Sequence, residues 1–340
     1  MSLIVYRVIL KALTWQRESH GLFDYESSSI RKKDLRIEKP CIIVRQNDNV
    51  EMFDMDAQVN ENDEATKPLF NIQMTDSENF LITSLRASNH NDKLWRVIWS
   101  LKPDGHWITS HDIIKVGWMK FKVWEFWSST QYFNIEEHGD QEEFEETKDV
   151  EEVPEADLHE MCWFCWINEY TEQNPKIGTC NCIGTVKYIH YECLKAWLQT
   201  KMTIKNSDNS HTLSWKHFEC ELCKMHYPYQ FRYKSKIWHL VEIPWPEGIE
   251  PYIILESMNL EKNSSWIIHT IIIKNDKKKF SLGRGHDSDL RINDISVSRL
   301  HATVEYKNGE FYLEDQKSKF GTLIHIWEDI PICVNENTTL

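Results

Sequence analysis

Polar and apolar residues alternate through Lys120-Phe-Lys-Val-Trp-Glu-Phe126, the two-residue period of a strand with one buried face. The C-terminal third repeats this habit in short runs. Tyr252-Ile-Ile-Leu255, Trp266 to Lys274, Lys279-Phe-Ser-Leu282, Asp289-Leu-Arg-Ile292, Ala302 to Lys307 and Glu310 to Glu314 are β-prone and bounded by turn residues. Asn308-Gly309, set between the last two, predicts a tight hairpin, because both residues tolerate the left-handed backbone that such turns need. Short strands at regular spacing predict a β-sandwich over 251–340. Residues 76–130 also read as a β-rich domain. Six of the 15 tryptophans lie there, Trp95, Trp99, Trp107, Trp118, Trp124 and Trp127, and Pro103-Asp104-Gly105 marks a turn. The simplest use of those rings is a packed core. Residues 1–75 show no sustained period and read as irregular. Pro228, Pro244, Pro246 and Pro251 punctuate the chain around a connector placed at 231–250.

Charge changes this picture in one place. The 340 residues include 53 acidic and 39 basic side chains, a formal net charge of −14. Thirteen of the acidic residues fall between Glu136 and Glu160, beside a single lysine, so the rest of the chain is nearly neutral. A block of like charges repels itself, so 131–157 reads as an acidic linker. The acidic balance argues against a protein that coats nucleic acid, which needs surplus Lys and Arg. No run reaches the ~18 apolar residues of a membrane span. Arg7 and Lys11 interrupt the apolar start, so no signal peptide is expected, and the default is a cytoplasmic or nuclear protein.

Seven of the nine cysteines lie between Cys162 and Cys223, with His190 among them. In a reducing compartment such a cluster means metal rather than disulfides. Cys41 and Cys333 stand apart and are expected to pack as small apolar residues. The clustered residues form four close pairs: Cys162 and Cys165, Cys180 and Cys182, His190 and Cys193, Cys220 and Cys223. Two ligands one to three positions apart reach one ion from a single turn of chain. Eight ligands suffice for two closed tetrahedral zinc sites, which leave no open position for water and are therefore structural.

This C4HC3 order resembles the RING-CH domain, the RING variant of ubiquitin ligases, over about 158–230. The tight Cys180-x-Cys182 pair, the seven-residue step to His190 and the stretch Leu194-Lys-Ala-Trp197-Leu carry the resemblance. The PHD finger shares the ligand order, and Phe218, two positions before Cys220, is its one matching feature. The RING-CH resemblance implies a cross-braced module with two Zn2+. Cys162, Cys165, His190 and Cys193 would share one ion, and Cys180, Cys182, Cys220 and Cys223 the other. It implies that Phe164 and Trp197 dock a ubiquitin-conjugating enzyme, with Lys224 placed to meet ubiquitin. His159 and His226 fit no ligand position and read as surface residues. The 26-residue step before Cys220 is long, and Lys205 to His211 reads as a surface loop.

A second resemblance lies further on. Leu282-Gly283-Arg284-Gly285, Ser296-Val-Ser298-Arg299-Leu-His301 and Asp315-Gln-Lys-Ser318-Lys-Phe320-Gly321-Thr322 look like the three loop motifs of the forkhead-associated (FHA) domain, a phosphothreonine-binding sandwich. The resemblance implies that Arg284, Ser298 and Arg299 meet the phosphopeptide, while Gly283, His301 and Gly321 hold the loops. Phe320 departs from the family's usual Asn. The closing strands of the family are not supplied after Thr339, so the sandwich is expected to lack them or to take them from another segment. Asp112-Ile-Ile-Lys-Val-Gly117 with Lys120-Phe-Lys-Val123 resembles such strands and suggests a degenerate FHA-like N-terminal domain.

The expectation is thus a multidomain, mainly β chain with a small α+β zinc module and an FHA sandwich. It implies a ubiquitin ligase without a covalent intermediate that selects phosphothreonine proteins. The alternative is a non-enzymatic adaptor whose PHD-like finger reads peptide tails.

Overall fold

The computed structural model describes residues 7–14, 30–57, 66–75, 79–84, 94–98, 105–109, 112–127, 132–134, 148–216, 218–228, 230–241, 250–258, 265–274, 276–332 and 340. Cys333, the Pro103-Asp104 start of the expected turn, the acidic residues 135–147 and residues 242–249 of the 231–250 connector lie outside the described residues; the first part of that connector is instead a hairpin, Gln230–Tyr233 paired with Lys236–His239. The chain divides into two compact units, 1–120 with 279–340, and 121–278.

The first unit joins the two ends of the sequence. A five-stranded sheet runs in the order Leu290–Arg291, Lys279–Gly283, Ala302–Lys307, Glu310–Asp315, His106–Trp107. Asn308 and Gly309 both take positive φ, 54° and 90°, and Lys307 pairs with Glu310 across them, as the hairpin signal predicts. Phe280, Leu282, Val304, Phe311 and Leu313 point inward from these strands and are almost wholly buried. Thr322–His325 lies between Ile113–Val116 and Trp95–Val97, pairing antiparallel with both. A second five-stranded sheet, Ile330–Ile332, Phe80–Ser84, Thr66–Met74, Cys41–Gln46, Asn49–Asp54, also mixes late and early residues. Its core holds Ile43, Phe70, Ile72, Phe80, Ile82, Ile326 and Ile330, with Cys41 buried among them as the small apolar residue expected.

Two expectations change here. Residues 1–75 contain the strands Val8–Thr14, Arg31–Ile37, Cys41–Gln46, Asn49–Asp54 and Thr66–Met74. Charges such as Arg31, Lys32 and Arg36 sit on their exposed positions, and this half-solvated pattern reads as irregular in sequence. Nor does 76–120 stand as a domain apart from 279–340. Ile113–Val116, which resembles a closing strand, pairs with Thr322–His325, so the last FHA-like strands gain their neighbours from the N-terminal half. Gly117 shows how closely the turn after it approaches. Its φ is +63°, and a Cβ there would lie 2.3 Å from Ser296 Oγ, the hydroxyl that accepts the Trp118 N–H.

In the second unit, Thr203–Asn206, Ser210–Trp215, Trp266–Ile272, Tyr252–Ser257 and the run from Phe121 to Trp127 are neighbours in that order. The Lys205–His211 stretch is therefore a hairpin paired to Trp266–Ile272 rather than a free surface loop. His269 is buried in this sheet, with Nδ1 2.9 Å from Thr212 Oγ1 and its ring 5.6 Å from Phe121. Burial pushes its pKa down to about 4. The unfolded chain takes up that proton below its ordinary pKa and the folded chain does not, so stability is intact above that range and falls as pH drops towards 4. Between pH 7.5 and 5 this amounts to about 2 kcal/mol. Urea midpoints at the two pH values should show the loss for the native chain and a smaller loss for His269→Gln. Equal losses would discard the assignment.

The acidic segment also differs from its expected form where it is described. Lys148–Asp149 pairs in parallel with Gln230–Tyr233, Val150 is buried, and Val150 N–H donates to the Arg232 carbonyl. Asp149 meets Arg232 at 3.2 Å and Glu152 meets Lys234 at 3.3 Å. Tyr188 donates to Asp157 at 2.5 Å, and burial with this carboxylate pushes the phenol up to about 12. Opposite charges on a neighbouring strand turn the end of the expected linker into a strap along residues 148–160.

Candidate functional site

Residues 162–223 gather into two four-ligand clusters, and in each the ligand atoms lie within 4.8 Å of one another. One cluster is Cys162, Cys165, His190 and Cys193. The other is Cys180, Cys182, Cys220 and Cys223. Pairs one and three share a site, as do pairs two and four, which is the cross-brace. Tetrahedral zinc with Zn–S near 2.3 Å requires sulfur atoms about 3.8 Å apart and sulfur–nitrogen distances of about 3.6 Å. Cys182 and Cys220 Sγ lie 3.6 Å apart, and His190 Nδ1 lies 3.3 Å from Cys165 Sγ and 3.9 Å from Cys193 Sγ. The residues therefore fit two zinc ions, each held by four protein ligands. Bound there, zinc would cross-link the chain and keep the thiols deprotonated.

The electrostatics agree. Burial and the surrounding thiols push Cys193 up to about 12, and burial with neighbouring sulfurs drives Cys182 upward as well. Cys220 differs. Burial acts upward on it too, but the Cys223 backbone and the Tyr227 hydroxyl outweigh that and bring it down to about 6. Thiols packed this closely cannot all ionise without a cation among them.

Two matching turns build the clusters. Cys162 N–H donates to the Ile167 carbonyl and Trp166 N–H to that of Cys162. Likewise Cys220 N–H donates to Met225 O and Lys224 N–H to Cys220 O. In both, the residue after the second cysteine is left-handed, Trp166 at φ 61° and Lys224 at φ 60°. The helix α1 (Tyr191–Thr200) contains no Gly, Pro or β-branched residue before its last position. It buries Tyr191, Leu194 and Leu198 on one face. His190, occupied as a ligand, stands at its N-cap without a side-chain cap. The orphan donors go instead to Pro175 O and Asn174 Oδ1. Between the first turn and α1, Phe164 and Trp197 meet with ring centroids 5.7 Å apart, and Trp197 meets Tyr227 at 6.1 Å. Phe164 is 36% exposed, and Trp197 is half-buried. They form one apolar patch at the surface.

On the first unit, three loops form a second candidate face. Arg284 N–H donates to Ser298 O and Gly285 N–H to Arg299 O. Gly283 has to be glycine, because a Cβ would stand 2.2 Å from the Arg299 carbonyl. His301 is fully buried. Its Nδ1 accepts the Ser298 N–H at 3.1 Å, which leaves Nε2–H to donate to Gly321 O at 3.1 Å. Burial lowers its pKa and keeps it neutral in that role. Ser298 Oγ accepts the Lys319 N–H at 3.0 Å, so its own proton remains available to an outside acceptor. Arg284 Nε donates to Val297 O, and its side chain is exposed.

The profile of the RING-variant domain matches residues 162–223, and that of the FHA domain matches 280–329. The chain carries both domains. Among curated proteins, the chain is similar to E3 ubiquitin-protein ligase MARCHF7 of Rattus norvegicus, 33% identical over 75 residues, covering 22% of this chain and 10% of that one. It is similar to the probable E3 ubiquitin-protein ligase MARCHF10 of Homo sapiens, 34% over 65 residues, covering 19% and 7%. It is also similar to the ERAD-associated E3 ubiquitin-protein ligase DOA10 of Saccharomyces cerevisiae, 35% over 88 residues, covering 26% and 6%. The matches thus span about a tenth or less of these relatives' length. No solved structure matches.

Within the RING-variant domain all eight expected ligands come together, and His159 and His226 stay outside them as surface side chains. Within the FHA domain, Arg284, Ser298 and Arg299 are brought side by side, with Gly283, His301 and Gly321 locking the loops behind them. Two supporting residues escape a reading of motifs. Lys176 is buried, with its ammonium donating to the Leu158 and Glu160 carbonyls, so it fastens the acidic strap to the RING-variant domain. Tyr227 lies beside Cys220. No spacing rule marks either: the carbonyls that hold Lys176 are 18 and 16 residues away, and a tyrosine shortly after the last ligand pair belongs to no ligand pattern. Among the described residues no helix is long and apolar enough to cross a membrane.

Proposed function

We propose that this protein is a RING-type ubiquitin ligase that recruits phosphothreonine-containing proteins through its FHA domain. The observation that carries the ligase half is the Phe164–Trp197 patch, exposed beside two closed metal clusters. A conjugating enzyme docking there would have its ubiquitin thioester held in a reactive pose, so catalysis comes from orientation. Among the described residues the thiols agree with this. Seven are placed as metal ligands, and Cys41 is buried in an apolar core, where no substrate reaches it. Lys224, exposed on its left-handed turn beside the second metal cluster, supports a contact to ubiquitin in this reading. The three-loop face supports the reader half. Arg284 supplies a planar fork and Ser298 a free hydroxyl proton, the pair of donors a phosphate monoester takes.

One experiment tests both halves on the full-length protein. Phe164→Ala should keep the metal content yet lower ubiquitin-chain synthesis roughly tenfold or more, the scale of losing a central interface aromatic. Arg284→Ala should weaken binding of a phosphothreonine peptide by a similar factor without lowering the melting temperature. Unchanged synthesis would sink the docking assignment. Equal affinity for phosphorylated and unphosphorylated peptide would sink the reader.

A further inference from the structure

We propose that the FHA loop face selects phosphothreonine segments carrying additional negative charge beside the phosphothreonine, supplied by acidic side chains or by a second phosphate. This rests on the phosphothreonine reading above. Four cations, Arg284, Arg299, Lys317 and Lys319, are exposed on the three loops that the backbone bonds around Ser298 hold together. Among the described residues no acidic side chain pairs with Arg284, Arg299 or Lys317.

The acidic residues of the same loops are turned inward. Asp315 accepts from Ser318 N–H, Ser318 Oγ and Thr322 Oγ1. Asp294 accepts from the backbone and hydroxyl of Ser296, and Asp289 from those of Ser281. Asp287 remains as an exposed acid on the loop that also carries Arg284. One phosphate does not use four cations. Arg284 and Ser298 suffice for it, and the others extend the positive surface to the ligand's neighbouring positions.

Placement supports this. Lys319 is tied through its own backbone N–H to the Ser298 hydroxyl, so its side chain starts next to the phosphate-binding group. Lys317 stands at φ 54° at the tip of the turn that Asp315 closes, which presents it outward. Phe320 changes the balance in the same direction. An Asn amide both donates to and accepts from a peptide backbone, whereas a phenyl ring does neither. Recognition here therefore leans on charge.

The test uses the full-length protein and fluorescence anisotropy with four peptides of one backbone sequence. They are a phosphothreonine peptide with neutral flanks, the same with glutamate flanks, a doubly phosphorylated form, and the glutamate peptide without phosphate. At low salt the glutamate-flanked or the doubly phosphorylated peptide should bind about tenfold tighter than the neutral-flanked one, as two extra exposed pairs allow. Which of the two shows the gap identifies the source of the charge. Lys317→Glu with Lys319→Glu should close the gap, and rising salt should close it in the native chain without any substitution. Equal affinity for neutral and charged phosphopeptides, or a gap that persists at high salt, overturns this inference and leaves the phosphothreonine reading standing. Equal affinity for the phosphorylated and unphosphorylated glutamate peptides overturns that reading, and this inference with it.

Discussion

Cys165→Ala, or treatment with a zinc chelator, is expected to reduce ubiquitin-chain synthesis by the full-length protein to background, a loss of roughly hundredfold or more. The size follows from how little else holds the ligand turns together. The pairing beside them, Lys176–Ile177 with Ile189–His190, is two residues long on each side, the helix has ten residues, and the longer Thr203–Trp215 hairpin pairs away from the ligands with Trp266–Ile272. A core this small cannot offset the ordering of its chain, so the metal supplies folding free energy on the order of 10 kcal/mol. The cross-brace makes the effect non-local. Losing Cys165 frees His190 and with it the start of α1, whose Trp197 faces Phe164. The Phe164–Trp197 patch should therefore disappear with a ligand that is not part of it. Metal analysis of the native chain should give two zinc ions, and Cys165→Ala at most one. Full chain synthesis by a metal-free or Cys165→Ala protein would refute the ligase reading outright.

Residues 279–340 expressed alone are expected to show no cooperative unfolding transition, although they contain the whole FHA-matching segment. In the structure the Thr322–His325 strand is bonded on both sides by N-terminal residues, Ile113–Val116 and Trp95–Val97, and Glu310–Asp315 by His106–Trp107. Cutting those away would expose Phe311, Leu313 and Ile324, each nearly buried, and leave two strands with open edges. In the full chain, Ile114→Ala should cost about 2–5 kcal/mol of stability, because Ile114 is 1% exposed and lies opposite Ile324. Denaturant unfolding measures both. A sharp transition in the isolated fragment would mean that the N-terminal strands only decorate a self-sufficient sandwich.

These two results bear on what a sequence shows. The metal ligands were legible because each pair sits within one turn, and local spacing is a property of the chain itself. The three FHA loop motifs were legible for the same reason, and so was the Asn308-Gly309 hairpin. The acidic segment was misread at its end. Its charge density is real, but whether charges repel or pair depends on what lies opposite, and Arg232 and Lys234 are some 80 residues away in sequence. Residues 1–75 were misread because strands such as Arg31–Ile37 keep one wet, charged face, and the short apolar run Cys41–Val44 stands alone among them. The hairpin at 203–215 was hidden by polar residues that an edge strand tolerates on its solvated side.

What the sequence determined by itself, then, is chemistry fixed by near neighbours: which cysteines and histidine form close ligand pairs, where the loop residues Arg284 and Ser298 sit, and that the chain is mainly β; which pairs share an ion came from the resemblance and from the fold. Only the tertiary structure decided which strands are partners. It placed Ile113–Val116 against Thr322–His325, across two hundred residues of intervening chain, and it brought the rings of Phe164, Trp197 and the buried Tyr227 together. The physical reason is that strand pairing is written in backbone hydrogen bonds, which every residue but proline can make. Its partners are chosen by the burial of apolar faces that lie far apart along the chain and meet only in the folded molecule.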